Sequence, residues 1–203
     1  MHPYENYDLR EDDPHLIPGS ECLKNNLGIT NTRTLNSLER QITGPMLILL
    51  QKNPIEPTFD LQYLCNIHRR MFSRVYPFAG KIRNVEIAKG GRLFLPHALI
   101  KTVAAKTFSE LRKENYLVHY DKEKFCERIG YYFACINTIH PFREGNGRTQ
   151  RILIDELAAK SGYAIQWSAI SGFSIAEASA AALAGDKAGK ALAKLVKINL
   201  KSL

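Results

Sequence analysis

The sequence has few cysteines, and they form no metal-binding pattern. None of the four makes a CxxC pair or joins a His/Cys cluster with zinc spacing; they are Cys22, Cys65, Cys126 and Cys135. Cys126 and Cys135 lie in a stretch of helical apolar periodicity, where we expect them to pack as small buried hydrophobic residues. A zinc site is therefore not expected, whereas a reducing compartment is.

The sequence also lacks a secretory signal and a long apolar run. Residues 1–6 contain neither a basic nor an apolar segment, so no Sec-type signal peptide is expected. No apolar run approaches the length of about 20 residues that crosses a bilayer. We therefore expect a soluble, cytoplasmic chain without a membrane partner. Secretion into a host by a specialised system is the alternative.

Repeats and low-complexity linkers are absent as well, which leaves an ordinary globular composition. The chain has 203 residues, 45% hydrophobic and 24% charged, and this length suits a single domain, residues 1–203. The formal net charge of +8 favours phosphate, nucleic acid or acidic proteins as partners. The charge is dispersed, and its densest patch, Arg69, Arg70 and Arg74, is typical of a solvated helix face. Because no nucleic-acid-binding signature occurs, no direct nucleic acid contact is expected.

Hydrophobic periodicity predicts a mainly α fold with one small β-hairpin. Apolar residues on either side of Gly90 and Gly91 predict the hairpin within residues 84–96. Residues 1–20 are polar and carry three prolines, which is typical of an extended arm lying on the domain. The helices are predicted at about residues 34–51, 60–74, 97–115, 121–137, 148–160, 173–184 and 187–200.

The first of these helices carries an irregularity. Positions 44–45 are Gly-Pro, which interrupts the helical pattern and leaves open a kink or a break. Its predicted apolar side consists of Leu35, Leu38, Ile42, Met46 and Leu49.

The segment HPFREGNGRTQR, residues 140–151, concentrates chemical groups. Its Gly-Asn-Gly part precedes a helix start, where consecutive backbone N–H groups and the helix dipole favour a phosphate. Arg148 and Arg151 lie three positions apart on that helix, so both side chains point to one face. Two guanidinium groups beside such a nest fit a polyphosphate.

Two further residues of this segment complete the set. Glu144 is a hard oxygen ligand beside the nest, which suits a magnesium ion shared with phosphate oxygens. His140, at the end of the preceding helix, is the group here that titrates near neutral pH and can act as a base. Each feature alone is common in proteins without a related activity. Their occurrence together within twelve residues favours a shared function.

This segment resembles the Fic motif, His-Pro-Phe-x-(Asp/Glu)-Gly-Asn-Gly-Arg-x-x-Arg, at every specified position. Residues 76–83, YPFAGKIR, are similar to the Phe-Ala-Gly-x-x-Arg segment before the family's β-hairpin flap, and residues 84–96 occupy the flap position. The resemblance covers about residues 14–200. It implies the Fic fold, a helical bundle around a central helix–loop–helix that carries the motif, with one small hairpin flap.

The resemblance implies a protein adenylyltransferase, which moves AMP from ATP to a Tyr, Ser or Thr hydroxyl of a target protein. By the same resemblance, His140 accepts the proton of that hydroxyl, Phe142 anchors the loop and Glu144 holds magnesium. The flap is expected to pair with an extended segment of the target.

The family's nucleotide-binding positions can also be carried over. The nest that binds the α- and β-phosphates corresponds to Gly145, Asn146 and Gly147. The arginines that bind the outer phosphates correspond to Arg148 and Arg151. Looser nucleotide-contact positions correspond to Lys89, Asn137 and Glu177.

An inhibitor is implied as well. Fic proteins are commonly inhibited by a helix with the pattern Ser/Thr-x-x-x-Glu-Gly/Asn, whose Glu pairs with the second motif arginine, here Arg151. The stretch from Ser109 to Asn115 has one residue too many for this pattern. We therefore expect the inhibitory helix on a separate, small antitoxin-like protein. In its size and its N-terminal arm, the chain resembles the toxin of bacterial Fic toxin–antitoxin pairs. Such toxins modify topoisomerase subunits. Related effectors modify host GTPases, and both targets stay open.

Two functions are alternatives to adenylyl transfer. Relatives with the same fold transfer UMP, phosphocholine or phosphate, but those that transfer phosphate often have Lys in place of the second motif glycine, here Gly147. An inactive module that only binds nucleotide or nucleic acid is the other alternative. His140 and Glu144 argue against it, because binding alone requires no base.

Overall fold

The computed structural model of the protein describes residues 7, 8 and 13–203. Of the predicted arm at residues 1–20, positions 1–6 and 9–12 lie outside the described residues. Within the described part the fold is mainly α-helical, as predicted. The helices are α1 (Thr32–Lys52), α2 (Leu61–Phe72), α3 (Ile100–Lys113), α4 (Lys122–Ile139), α5 (Asn146–Lys160), α6 (Gly172–Leu183) and α7 (Lys190–Asn199). The strands are β1 (Ala88–Lys89), β2 (Arg92–Leu93), β3 (Tyr163–Ile165) and β4 (Leu200–Ser202).

Local sequence determines several helix starts. Asn31, Asp60, Asp121 and Ser171 each precede a helix, and each side chain accepts a hydrogen bond from the backbone N–H three residues further on. Such an acceptor satisfies one of the N–H groups that a helix start leaves without a partner. Asp60 and Asp121 thus cap the helices that the sequence predicts from these positions.

Helix α4 forms the centre of the molecule and packs against α3, α5, α6 and α7. Ile129, Phe133 and Ile136 on this helix are at most 1% exposed. Gly130 lets α7 approach closely, since a Cβ built there would lie 2.5 Å from the Cβ of Ala193. The prediction of a central core helix is confirmed. The C-terminal end of α4 leads directly into residues 140–145, which are called the motif loop below.

The structure answers two questions about helix α1. The helix continues through Pro45 without a break. Gln41, whose carbonyl loses its helical partner to the proline, is exposed and can bond water instead. The predicted apolar side is wrong at Leu49, which is 44% exposed, whereas Glu39 and Thr43 are buried. Both of these polar side chains contact Arg148, in the first turn of α5.

The predicted hairpin is present and short. Strands β1 and β2 pair antiparallel, with Lys89 opposite Arg92. Gly90 and Gly91 join them with φ values of 58° and 74°, a left-handed pair that glycine adopts without strain. Residues 84–96 are called the flap below.

A second small sheet was missed in the sequence. Strands β3 and β4 pair antiparallel, with Ile165 opposite Leu200, whereas residue 200 was predicted to end the last helix. Three-residue strands carry too little alternation to be recognised, and this pair joins segments that are far apart in the sequence. Helix α5 also begins two residues earlier than predicted, at Asn146, because Gly145 (φ 81°) turns the chain into the helix. In the part of the chain that the structure describes, no helix is long and apolar enough to cross a membrane.

Candidate active site

The loop that joins α4 to α5 is held from behind by Arg83, the arginine of the segment that resembles Phe-Ala-Gly-x-x-Arg. The Arg83 side chain is fully buried. It donates hydrogen bonds to the carbonyls of His140 and Val85, both at 2.8 Å, and to the carbonyl of Leu95. One guanidinium group therefore joins the motif loop to both sides of the flap.

The His140 side chain is present as one defined tautomer. Its Nδ1 lies 2.8 Å from the Asn137 carbonyl, which can only accept, so Nδ1 carries the proton and Nε2 offers a lone pair. The ring stacks on Phe94 of the flap with 3.8 Å between centroids. Burial, together with the charges of Arg83 and Lys89, lowers the pKa of His140 to about 3. The imidazole is therefore neutral at physiological pH.

A hydroxyl group already lies at the lone pair of His140. The hydroxyl of Tyr7 is 2.8 Å from Nε2, and it accepts a hydrogen bond from Nδ2 of Asn146 at 3.1 Å. A base within this distance of a hydroxyl can take its proton. Tyr7 was not among the predicted site residues, since one tyrosine in a polar arm carries no signal of its own.

Phe142 and His68 form the floor of the loop. Phe142, which the family resemblance assigns as the anchor of the loop, is fully buried, and its ring stacks on the His68 imidazole with 3.9 Å between centroids. His68 accepts from the Gly80 N–H and donates to the Glu144 carbonyl, both at 2.8 Å. Burial lowers the pKa of His68 to about 4, which keeps the ring neutral and able to do both. His68 lies on the buried face of α2, and its place on that face was the signal available in the sequence.

The Gly-Asn-Gly part of the motif shapes the start of α5. A Cβ at Gly145 would lie 2.6 Å from the Phe72 ring, so the fold requires glycine there. The side chain of Asn146 accepts from the Phe142 N–H at 2.8 Å and donates to its carbonyl at 2.7 Å. A Cβ at Gly147 would instead meet only a side-chain nitrogen, at 3.5 Å. The face beside Gly147 is therefore open, next to N–H groups that have no acceptor within α5.

Arg148 belongs to a polar cluster that includes a glutamate missed in the sequence. Its guanidinium pairs with the carboxylate of Glu39 and donates to the Thr43 hydroxyl at 3.2 Å, and the Glu144 carboxylate lies 3.7 Å away. Tyr76 donates to the other Glu39 oxygen at 2.5 Å. Burial and the charge of Glu39 raise the pKa of Glu144, so a cation bound here would favour the ionised carboxylate.

The position of Glu39 in the sequence offered a signal. Glu39 lies four residues after Leu35 and four before Thr43, in the middle of the buried face of α1. A charged residue at such a position needs a buried partner. The partner, Arg148, comes from a helix more than a hundred residues later, and this pairing could not be read from the sequence.

The other predicted residues differ in whether they contact the motif loop. Asn137 supports His140 through its carbonyl, and its side-chain amide donates to a carbonyl of α6 at 2.9 Å. Arg151 lies beside Gly147, and Lys89 is exposed on the flap. Glu177 is exposed on α6, and among the described residues no hydrogen bond or ion pair joins it to the motif loop.

Glu144 is the residue of this site that suits a magnesium ion. Its side chain is 26% exposed beside the N-terminus of α5. Magnesium commonly takes one or two carboxylates and completes its shell with water and phosphate oxygens, and this arrangement fits that set. Within residues 7, 8 and 13–203, no group of three or more His, Cys, Asp or Glu side chains could form an all-protein metal site.

Comparison with known proteins gives this site a family. The Fic/DOC family model matches residues 58–158. The chain is 35% identical over 158 residues to the "Probable protein adenylyltransferase Fic" of Salmonella typhimurium, covering 78% of each protein. It is 37% identical over 155 residues to the protein adenylyltransferase VbhT of Bartonella schoenbuchensis, covering 76% of this chain and 32% of VbhT.

The fold agrees with solved structures. The N-terminal Fic domain of a VirB-translocated Bep effector protein from Bartonella quintana, with bound ADP, superposes with a TM-score of 0.86 at 26% identity. The match covers 93% of this chain and 94% of that domain. The chain belongs to the Fic/DOC family.

Proposed function

We propose that this chain is a protein adenylyltransferase, which transfers AMP from ATP to a hydroxyl side chain of a protein and releases pyrophosphate. The observation that carries the proposal is the neutral His140, whose Nε2 lies 2.8 Å from a tyrosine hydroxyl beside the open N-terminus of α5. The relatives named protein adenylyltransferase and the related domain with bound ADP support it. Residues 1–203 act as one catalytic domain in this proposal.

The reaction is an in-line attack of the target oxygen on the α-phosphorus of ATP. His140 Nε2 accepts the hydroxyl proton while the new O–P bond forms and the bond to pyrophosphate breaks. The Asn137 carbonyl holds the Nδ1–H at 2.8 Å, which directs Nε2 toward the substrate and stabilises the imidazolium that forms. No residue of the site has to form a covalent intermediate.

The phosphates of ATP bind at the N-terminus of α5 in this proposal. The N–H groups of residues 145–147 bind the α- and β-phosphates, and Arg148 and Arg151 bind the outer phosphates. Glu39 positions Arg148 for this role. Glu144 holds magnesium, which supplies positive charge that neutralises the leaving pyrophosphate. Most of the rate enhancement comes from positioning and charge stabilisation.

The flap binds the target protein by strand addition. Phe94 of the flap stacks on His140, so a peptide paired with β1 runs close to the base. Lys89 on the flap, Asn137 beside His140 and Glu177 on α6 complete the nucleotide contacts.

Regulation and target complete the proposal. A small antitoxin-like protein supplies a helix whose Glu pairs with Arg151, and the chain acts in the cytoplasm on a topoisomerase subunit or a GTPase. Support comes from the family resemblance and from the missing inhibitory pattern in the sequence. Co-expression with the small helical protein of a neighbouring gene should then suppress labelling of other proteins by ATP, and unchanged labelling would contradict it.

The test of the activity is substitution of the base. His140→Ala should lower transfer of labelled AMP to lysate proteins by a factor of about 10²–10⁴, the usual contribution of a general base, while retaining ATP binding measured by calorimetry. His119→Ala, at an exposed histidine outside the site, is the matched control and should retain transfer. Near-full transfer by His140→Ala would refute the assignment.

A further inference from the structure

One residue of the N-terminal arm pairs with the edge of the flap through a single antiparallel bridge. Asp8 pairs antiparallel with Ala88 of β1, and its N–H donates to the Ala88 carbonyl at 2.9 Å. The Asp8 carboxylate accepts from the N–H groups of Gly90 at 3.2 Å and Gly91 at 2.9 Å. Asp8 therefore occupies the strand edge at which a target peptide would be added.

A second part of the arm is bound to the motif loop. Asp13 forms an ion pair with Arg143 at 2.6 Å, and the two side chains are only 5% and 4% exposed. His15 contacts Asn84, at the start of the flap, at 3.0 Å. The described residues of the arm thus contact both the flap and the motif loop.

Between the flap and the loop, the Tyr7 side chain enters the catalytic centre. Its ring meets Phe94 edge-on, with 6.0 Å between centroids, and the Arg143 guanidinium lies 5.6 Å from the ring. The hydroxyl donates to Nε2 of His140 at 2.8 Å and accepts from Asn146 at 3.1 Å. Its acceptor is a neutral buried base, and its donor belongs to the predicted phosphate-binding nest. A tyrosine that only filled space would require neither.

We propose that Tyr7 is the chain's own adenylylation site, modified within the same molecule while the arm lies on the flap as a target segment. The inference rests on the proposed function. The Tyr7 oxygen forms a bond to the α-phosphorus of ATP, and its proton passes to His140 Nε2. The bond from the α-phosphorus to the bridging oxygen breaks, and pyrophosphate leaves with the electron pair. ATP is the co-reactant, and nothing is oxidised or reduced.

Two consequences follow from this geometry. Modification stops at one AMP on this residue, because an adenylylated Tyr7 has no hydroxyl proton left to transfer. Tyr7 also competes with external targets, because one hydroxyl fits at Nε2 of His140. An external target therefore reacts only when the arm has left the flap.

The experiment incubates the full chain with labelled ATP and magnesium, followed by intact mass measurement and peptide mapping. We expect one adenylate per chain, on Tyr7. Tyr7→Phe and His140→Ala should both remove it, whereas Tyr4→Phe, which removes the other tyrosine of the first seven residues, should retain it. Thermal unfolding of each variant verifies that the chain is folded.

Two further measurements test that the transfer is intramolecular. The rate per chain should stay constant across a dilution series. An active Tyr7→Phe chain mixed with His140→Ala should leave the intact Tyr7 of the latter unmodified. Labelling of that Tyr7, or a rate that rises with protein concentration, would refute transfer within one molecule.

The outcomes separate this inference from the proposed function. If the chain labels lysate proteins in a His140-dependent manner but its own label lies on another residue or is absent, the Tyr7 inference is wrong and the proposed function stands. If neither the chain nor any lysate protein is labelled, the proposed function fails and the Tyr7 inference fails with it.

Discussion

The pH dependence of stability provides a sharp test of the buried His68. In the folded chain the pKa of His68 is lowered to about 4 by burial, whereas an unfolded histidine titrates at about 6.5. As pH falls through 6.5, His68 binds a proton in the unfolded chain but not in the folded chain. The contribution of neutral His68 to stability is therefore fully present above the pKa of the unfolded state, and it is lost as pH falls toward the pKa of the folded state.

The size of this effect follows from the two pKa values. Their difference corresponds to a total of about 3 kcal/mol, of which about 2 kcal/mol is lost between pH 7 and pH 5. His68→Gln can replace both hydrogen bonds, to Gly80 and Glu144, but cannot bind a proton. The variant should be less stable than wild type at pH 7, because it loses the ring that stacks on Phe142. Its loss of stability between pH 7 and pH 5 should be about 2 kcal/mol smaller than that of wild type.

Urea unfolding at pH 7 and pH 5 measures the quantity directly. His140 also has a lowered pKa and contributes to both proteins, so the wild-type minus variant difference isolates His68. His119→Gln removes an exposed histidine and serves as the matched control. If the His68→Gln chain lost as much stability between the two pH values as wild type does, the buried neutral histidine would be refuted.

The remaining predictions concern the motif loop and the residues that support it. Glu39→Gln should lower the free energy of unfolding by about 1–3 kcal/mol, because half-buried Arg148 loses the nearer of its two carboxylate partners and only Glu144, at 3.7 Å, remains, and an unchanged urea midpoint would contradict this. Glu144→Ala, or chelation of magnesium with excess EDTA, should stop pyrophosphate release, and undiminished release would exclude the assigned role. Gly145→Ala should destabilise the fold by about 2 kcal/mol or more. Gly147→Ala should leave the unfolding midpoint in place yet weaken ATP binding, and equal effects of the two would refute the distinction between them.

Much of the fold was predictable because its signals are local. Asp60 and Asp121 cap their own helices through N–H groups three residues away, and Gly90 and Gly91 supply the backbone of their own turn. The second sheet and the buried face of α1 were not predictable in this way. Strand β4 pairs with a strand from a distant part of the sequence, and buried Glu39 has its partners Arg148 and Tyr76 on other segments.

The residues of the candidate site also differ in whether their signals are local in the sequence. His140, Glu144 and Arg148 lie within a few residues of one another, so the chemistry they suit could be inferred from a single segment. His68 and Tyr7 come from other elements and look ordinary where they stand, one on a helix face and one in a polar arm. Their contacts with the loop exist only in three dimensions, which is why the sequence did not mark them.

These unpredicted residues share one physical task, which is to control the groups that the motif supplies. A motif within one loop can bring a base, a carboxylate and an arginine together, but it cannot hold them rigidly from a single side. Burial of His140 against Phe94 of the flap keeps the imidazole neutral, and Arg83 holds the His140 carbonyl. Glu39 on α1 holds the Arg148 guanidinium. The segment thus determines which chemical groups are present, and the surrounding helices and flap determine their protonation and orientation. A mutation in that surrounding layer should therefore change catalysis without touching the motif.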